Sequence, residues 1–111
     1  MKRDYKLYLQ DIKESMGQIE EYIKGISEEE FKKDKLIQDG VTRRLEIIGE
    51  ASRNIPRALK EKNKHVPWFD LSQFRDLIAH VYFEASLSRI WKIAKEQLPK
   101  LKEAMKNVSL I

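Results

Sequence analysis

The sequence predicts an all-α fold: a single-domain bundle of four to five helices spanning residues 1–111 and pairing as a homodimer. Three observations carry this. Apolar residues recur at spacings of three and four, no apolar–polar alternation lasts long enough for a strand, and only four Gly and three Pro are available for turns. At 111 residues the chain can bury one modest core but not two.

The first helix is expected from about Lys2 to Lys24, with Tyr5, Tyr8, Leu9, Ile12, Met16, Ile19, Tyr22 and Ile23 on its apolar side and Gly25 ending it. Ser27-Glu28-Glu29-Glu30 reads as a capping box, its acids at the favoured positive end of a second helix. A third run spans about Lys35 to Asn54 and places Leu36, Ile37, Val41, Leu45, Ile48 and Ala51 on one side. Only Asp39-Gly40 marks a break in it, so continuity with the second helix stays open. Pro56 starts a short helix or turn through Lys60, and residues 63–67 form a loop. Asp70 with Gln73 makes another capping box, opening a helix from Leu71 to about Phe83. Ser86 caps the last helix, in which Pro99 removes a hydrogen bond to Lys95 and produces a kink or stagger. The short link between these last two helices predicts antiparallel neighbours.

Composition narrows the chemistry. Hydrophobic residues make up 41% and charged residues 36%, the balance of a soluble globular chain. No stretch approaches the roughly 20 apolar residues of a membrane span, and no apolar signal-peptide core follows the N-terminus, so a cytoplasmic location is the default expectation. The absence of Cys removes disulfides, cysteine zinc sites and thiol nucleophiles together. With only two His, Cys-free metal sites would need unconvincing spacings, so no metal and no other cofactor is expected. From Ser86 to Ile111 six cations face two anions, an excess equal to the net +4 of the whole chain. Such a tail permits attraction to phosphate backbones, although a lysine-rich solvated face is the commoner meaning of a charge run.

The helix L-S-Q-F-R-D-L-I-A-H-V-Y-F, residues 71–83, carries the candidate chemistry. At 100° per residue Phe74, Ile78 and Val81 form a core stripe flanked by Leu71 and Leu77. Arg75 and Tyr82 share one edge of it. Asp76 and His80 stack one turn apart on another face, where an ionised Asp orients the imidazole and favours its charged form. Ala79 and Phe83 lie on that second face as well. A phenylalanine there is best covered by the same helix of a second subunit, which would close Arg75 and His80 into one cleft. The alternative is that Phe83 folds back into its own core. A lone helical His is more often a surface residue than a catalyst, and His65 in its polar loop has no expected role.

Arg75-Asp76-Leu77-Ile78-Ala79-His80-Val81-Tyr82 resembles the R-x-x-x-x-H-x-Y motif of HepT-like toxins, a branch of the HEPN superfamily of helical ribonucleases. Arg43-Arg44-Leu45-Glu46-Ile47-Ile48-Gly49-Glu50-Ala51 resembles the family's R-x-L-E-I-I-G-E-A helix, and Val66-Pro67-Trp68 its V-P-W turn. Ile90-Trp91-Lys92-Ile93 and Leu98-Pro99-Lys100-Leu101 resemble its final helix. The likeness covers nearly the whole chain. It departs where the family's usual Arg-Asn pair is Arg75-Asp76, and where Phe83-Glu84-Ala85-Ser86 replaces a Gly and an Asp.

The resemblance implies a HEPN-like fold and a metal-independent endoribonuclease, homodimeric, with Arg75 and His80 catalytic at the interface. It also implies an MNT-type nucleotidyltransferase antitoxin as partner, which in some members transfers AMP onto the motif tyrosine, here Tyr82. On this reading His80 moves protons, since imidazole has a reference pKa of about 6.5, and Arg75 forks onto the phosphate. Asp76 orients His80, and Tyr82 contacts the substrate or takes the AMP. Two rivals stand beside it: a non-catalytic nucleotide-binding adaptor that complements a nucleotidyltransferase, and a purely structural helical module.

Overall fold

The computed structural model describes residues 3–80 and 84–111, with side chains in the second stretch from Ser86 onward. The described residues form four long helical rods and two short helices, and no strand occurs among them. The all-helical bundle expected from the periodicity is what the chain adopts.

Helix α1 (Tyr5–Ile23) starts one turn later than the apolar pattern suggested, because the Asp4 carboxylate caps it by accepting from the Lys6 N–H. Gly25 turns the chain with φ 76°, a conformation that only glycine adopts at no steric cost. Helix α2 (Glu28–Lys33) opens on the expected capping box, with Ser27 and Glu30 satisfying each other's backbone N–H. Asp34 then ends α2 and begins α3 (Lys35–Arg53), accepting from the Ile37 N–H. That settles the question left open at residues 39–40. The break is at Asp34, and α3 runs through Gly40 without interruption. Leu36, expected on the inner side, is 82% exposed.

Helix α4 (Arg57–Lys62) follows Pro56. Helix α5 (Trp68–Ile78) corrects the expected start: Pro67 is the cap residue, and its carbonyl receives the Leu71 N–H at 3.2 Å. Asp70 therefore sits inside the first turn and makes no capping box with Gln73. Its charge still favours that end of the helix.

Helix α6 (Glu84–Lys92) begins before Ser86, so Ser86 lies within the helix and does not cap it. A π-turn (Ile93–Gln97) joins α6 to α7 (Leu98–Met105), with the Leu98 N–H bonded to the Ile93 carbonyl five residues back. The wider turn places Pro99 in the first turn of α7, where a missing N–H costs nothing. This is the stagger that Pro99 predicted.

The core is built from Leu9, Ile12, Met16 and Ile19 of α1 against Val41, Leu45 and Ile48 of α3, with Leu71 and Phe74 of α5 on the other side of α3. Phe31 of α2 lies against Trp91 of α6, ring centroids 5.5 Å apart. Helix α5 packs principally on α3 and α6 on α2, so α5 and α6 are not the closely paired neighbours expected from their short link. Buried Asn63 ties the chain end down: its Nδ2 donates to the carbonyls of Leu59 and Ser109, and its Oδ1 accepts from the Ser109 N–H at 2.7 Å. No described helix is long and apolar enough to cross a membrane.

Candidate active site

The site is built where α3 and α5 cross. Gly49 of α3 is buried, and a Cβ placed on it would lie 2.5 Å from the Arg75 backbone nitrogen and 2.9 Å from the Arg75 Cβ. The two backbones therefore touch at this point. Only glycine permits it, and the contact fixes where Arg75 leaves its helix.

Two ion pairs of opposite polarity cross the same contact. Glu50 of α3 reaches Arg75 of α5, Oε2 to Nε at 3.1 Å. Arg53, one turn further along α3, donates from Nη2 to Asp76 Oδ1 at 2.9 Å. All four side chains are between 37% and 56% exposed, so each pair contributes at most about 1 kcal/mol of stability. Their larger effect is directional, since reversed polarities resist rotation of α5 about its axis.

These groups line an open groove of about 980 Å³ between α1, α3 and α5. Arg3, beside Asp11 at 2.7 Å and 4.7 Å over the Tyr8 ring, and Arg43, paired with Glu46, complete its charged walls. The Asp11 hydrogen bond raises the Arg3 guanidinium above its ordinary pKa. Arg3, Arg43, Arg53 and Arg75 each meet a carboxylate there, so the groove carries four arginines without a large local excess of charge.

A second, smaller cleft of about 420 Å³ is lined by Gln73, Asp76, Leu77, His80, Ser86 and Arg89. Asp76 and His80 do meet in one cleft, as the spacing suggested, but their relation differs from two residues stacked on a helix. α5 ends at Ile78, and His80 lies in the turn beyond it, its N–H bonded to the Leu77 carbonyl at 3.1 Å. The hydrogen bond of the Asp76 carboxylate goes to Arg53. Arg75 faces the larger groove and His80 the smaller, and Asp76 lines both. The separation of Arg75 from His80 that the helical projection predicted is thus present, with Asp76 as the ridge between them.

Val81, Tyr82 and Phe83 lie outside the described residues, and with them the expected positions of Tyr82 beside Arg75 and of Phe83 on the second face. His65, given no role, is exposed, with Nε2 3.2 Å from the Ala104 carbonyl. Among the described residues no three His, Cys, Asp or Glu side chains converge to hold a metal ion. Sequence reasoning missed the direct partners of the motif helix, Glu50 and Arg53. The available signal was their three-residue spacing beside Gly49, a small residue that marks a close helix crossing.

Known proteins resemble this chain along nearly its whole length. The family described as Ribonuclease HepT-like matches residues 12–108. A Thermococcus cleftensis protein named "Probable ribonuclease HepT" is 45% identical over 102 residues, which cover 92% of this chain and 93% of that one. A Methanocaldococcus jannaschii protein, provisionally named an RNase and also a gamma-glutamylcyclotransferase, is 45% identical over 103 residues. The match takes in 93% of this chain but only 46% of that longer protein, so the chain spans about half of it. A provisionally named RNase of Caldanaerobacter subterraneus subsp. tengcongensis is 37% identical over 101 residues, 91% of this chain and 90% of its own. No solved structure matches significantly. A helical bundle with an arginine fixed at a glycine-mediated crossing and a histidine one turn beyond it, matched along nearly its whole length, belongs to the ribonuclease HepT-like family.

Proposed function

We propose that this chain is a metal-independent endoribonuclease, the toxin of a two-component pair, which acts as a homodimer on RNA. The observation that carries the reading is the crossing of α3 and α5, where Gly49 and Glu50 hold Arg75 at the mouth of an open groove while His80 lies across the Asp76 ridge.

Without a metal, RNA cleavage uses the 2′-OH of the substrate against the adjacent phosphate. The crowded phosphorane needs a fixed cation, and a guanidinium forks onto its oxygens. Arg75 supplies it. The reaction also needs a group that exchanges protons near neutral pH, and His80, exposed in its cleft, supplies that. Asp76 supports the histidine by placing a carboxylate in the same cleft, shared with Arg53. Two copies paired along this face would join their clefts and bring the arginine of one site toward the histidine of the other.

On the same reading the antitoxin is an MNT-type nucleotidyltransferase, and Tyr82, two residues beyond His80, accepts AMP. The anionic AMP would compete with an RNA phosphate for Arg75 of the same motif.

The test is cleavage of RNA by purified His80→Ala and Arg75→Ala proteins. Each is expected to lose activity and toxicity while keeping the helical spectrum and the dimer. Cleavage at the wild-type rate by His80→Ala would refute the assignment.

A further inference from the structure

Attack of a 2′-OH on its neighbouring phosphate moves two protons. One leaves the 2′-oxygen as it bonds to phosphorus, and one arrives at the 5′-oxygen as its bond breaks. A guanidinium offers no basic site, and the second histidine, His65, sits against the Ala104 carbonyl, away from Arg75. One proton carrier remains to be found beside His80.

Among the described residues the groove holds four carboxylates, and three of them meet arginines other than Arg75: Asp11 with Arg3, Glu46 with Arg43, and Asp76 with Arg53. Among the described residues Glu50 is the carboxylate that approaches Arg75, and it does so at Nε, the inner nitrogen, not at the terminal amino groups that fork onto a phosphate. A phosphate held by those terminal groups would lie beside the Glu50 carboxylate. That carboxylate is reachable, since its side chain is 55% exposed to the groove. Its backbone position is fixed by the preceding residue, Gly49, which touches Arg75.

Resting on the ribonuclease reading above, we propose that Glu50 is the general base and His80 the general acid of the cleavage step. The Glu50 carboxylate takes the 2′-OH proton as the 2′-oxygen bonds to phosphorus. The bond from phosphorus to the 5′-oxygen breaks, and the His80 imidazolium brought to this groove by the paired copy gives its proton to that oxygen. The products are a 2′,3′-cyclic phosphate and a 5′-OH, and proton exchange with water resets both residues.

The experiment compares full-length wild type, Glu50→Gln, Glu50→Asp and His80→Ala in single-turnover cleavage of two short RNAs. One has the natural 5′-oxygen at the cleavage site. The other has a bridging 5′-sulfur, which leaves as a thiolate without protonation. Glu50→Gln is expected to slow both substrates by about 10²–10⁴-fold, the usual weight of a general base. His80→Ala is expected to lose the oxygen substrate and recover on the sulfur one. Glu50→Asp, with the carboxylate one methylene short, slows both substrates alike and carries the comparison should the amide variant be unfolded. Recovery of Glu50→Gln on the sulfur substrate overturns the assignment, because it marks Glu50 as serving the leaving group. Wild-type rates from Glu50→Gln on the oxygen substrate overturn it too and place the base elsewhere. A wild type that cleaves neither RNA sinks the ribonuclease reading, and this assignment falls with it.

Discussion

Replacing Gly49 with Ala sets two opposed terms against each other. In an exposed helix interior the change stabilises by about 1 kcal/mol, because alanine loses less backbone entropy on folding. At Gly49 the added methyl would lie 2.5 Å from the Arg75 nitrogen, where ordinary contact begins at 3.4 Å. The obstructing atom is backbone, so relief requires α5 to move off α3 by about 0.9 Å, the difference between those distances. Overpacking of this kind costs about 1–3 kcal/mol. The displaced helix also loosens Leu71 and Phe74, both buried beside α3. The net expectation is a loss of about 1–2 kcal/mol, or a fall in Tm of roughly 5–10 °C for a domain of this size. Thermal melting by circular dichroism reads the first effect. RNA cleavage below the melting range reads the second, which is a drop beyond the unfolded fraction, because Arg75 moves with the helix. A variant with raised Tm and unchanged cleavage would show that helix propensity outweighs the crossing, and the argument for Gly49 would fail.

Gly17 supplies the opposite case: nothing lies within 4 Å of a Cβ there, so Gly17→Ala should raise Tm by the few degrees that about 0.5–1 kcal/mol provides. Asn63→Ala removes three side-chain hydrogen bonds from a buried position, and a loss of about 1–3 kcal/mol is expected, together with fast hydrogen exchange at the Ser109 amide. Cleavage should persist in EDTA and leave a cyclic phosphate end, detectable by its resistance to phosphatase until acid opens it to a monoester. A strict metal requirement would contradict the mechanism.

Much of the fold was legible because burial and periodicity coincide in the long helices. Leu9, Ile12, Met16 and Ile19 fall at the spacings of one face, and all are buried. The Ser27 box was legible because its two bonds are local. The box at Asp70 failed for a tertiary reason. Pro67, following buried Val66, starts the helix three residues earlier, and a proline is as good a beginning as a side-chain cap. Leu36 failed because, at 100° per residue, it lies on the opposite face of α3 from buried Leu45, whereas its neighbour Ile37 packs on the core. For the site, the sequence separated Arg75 from His80 correctly. It did not connect Asp76 to Arg53 or Arg75 to Glu50, because those pairs join residues 23 and 25 positions apart and exist only once Gly49 lets the helices touch.

The π-turn at Ile93–Gln97 has a bearing on which length changes the chain tolerates. Lys95 and Glu96 are exposed there, and a scan of surface positions would pass them as free to vary. In composition they are, but in number they are not. Deleting either would let the rod close into uninterrupted α-helix with the phase of α7 kept, because the π-turn holds one residue more than an α-turn over the same rotation. Leu98, Leu101 and Met105 would keep their buried face, but Pro99 would enter a helix interior that has no place for its ring. The extra residue opens the turn that Pro99 needs, so this segment should accept almost any side chain at Lys95 and Glu96 and reject a deletion of one while Pro99 is in place.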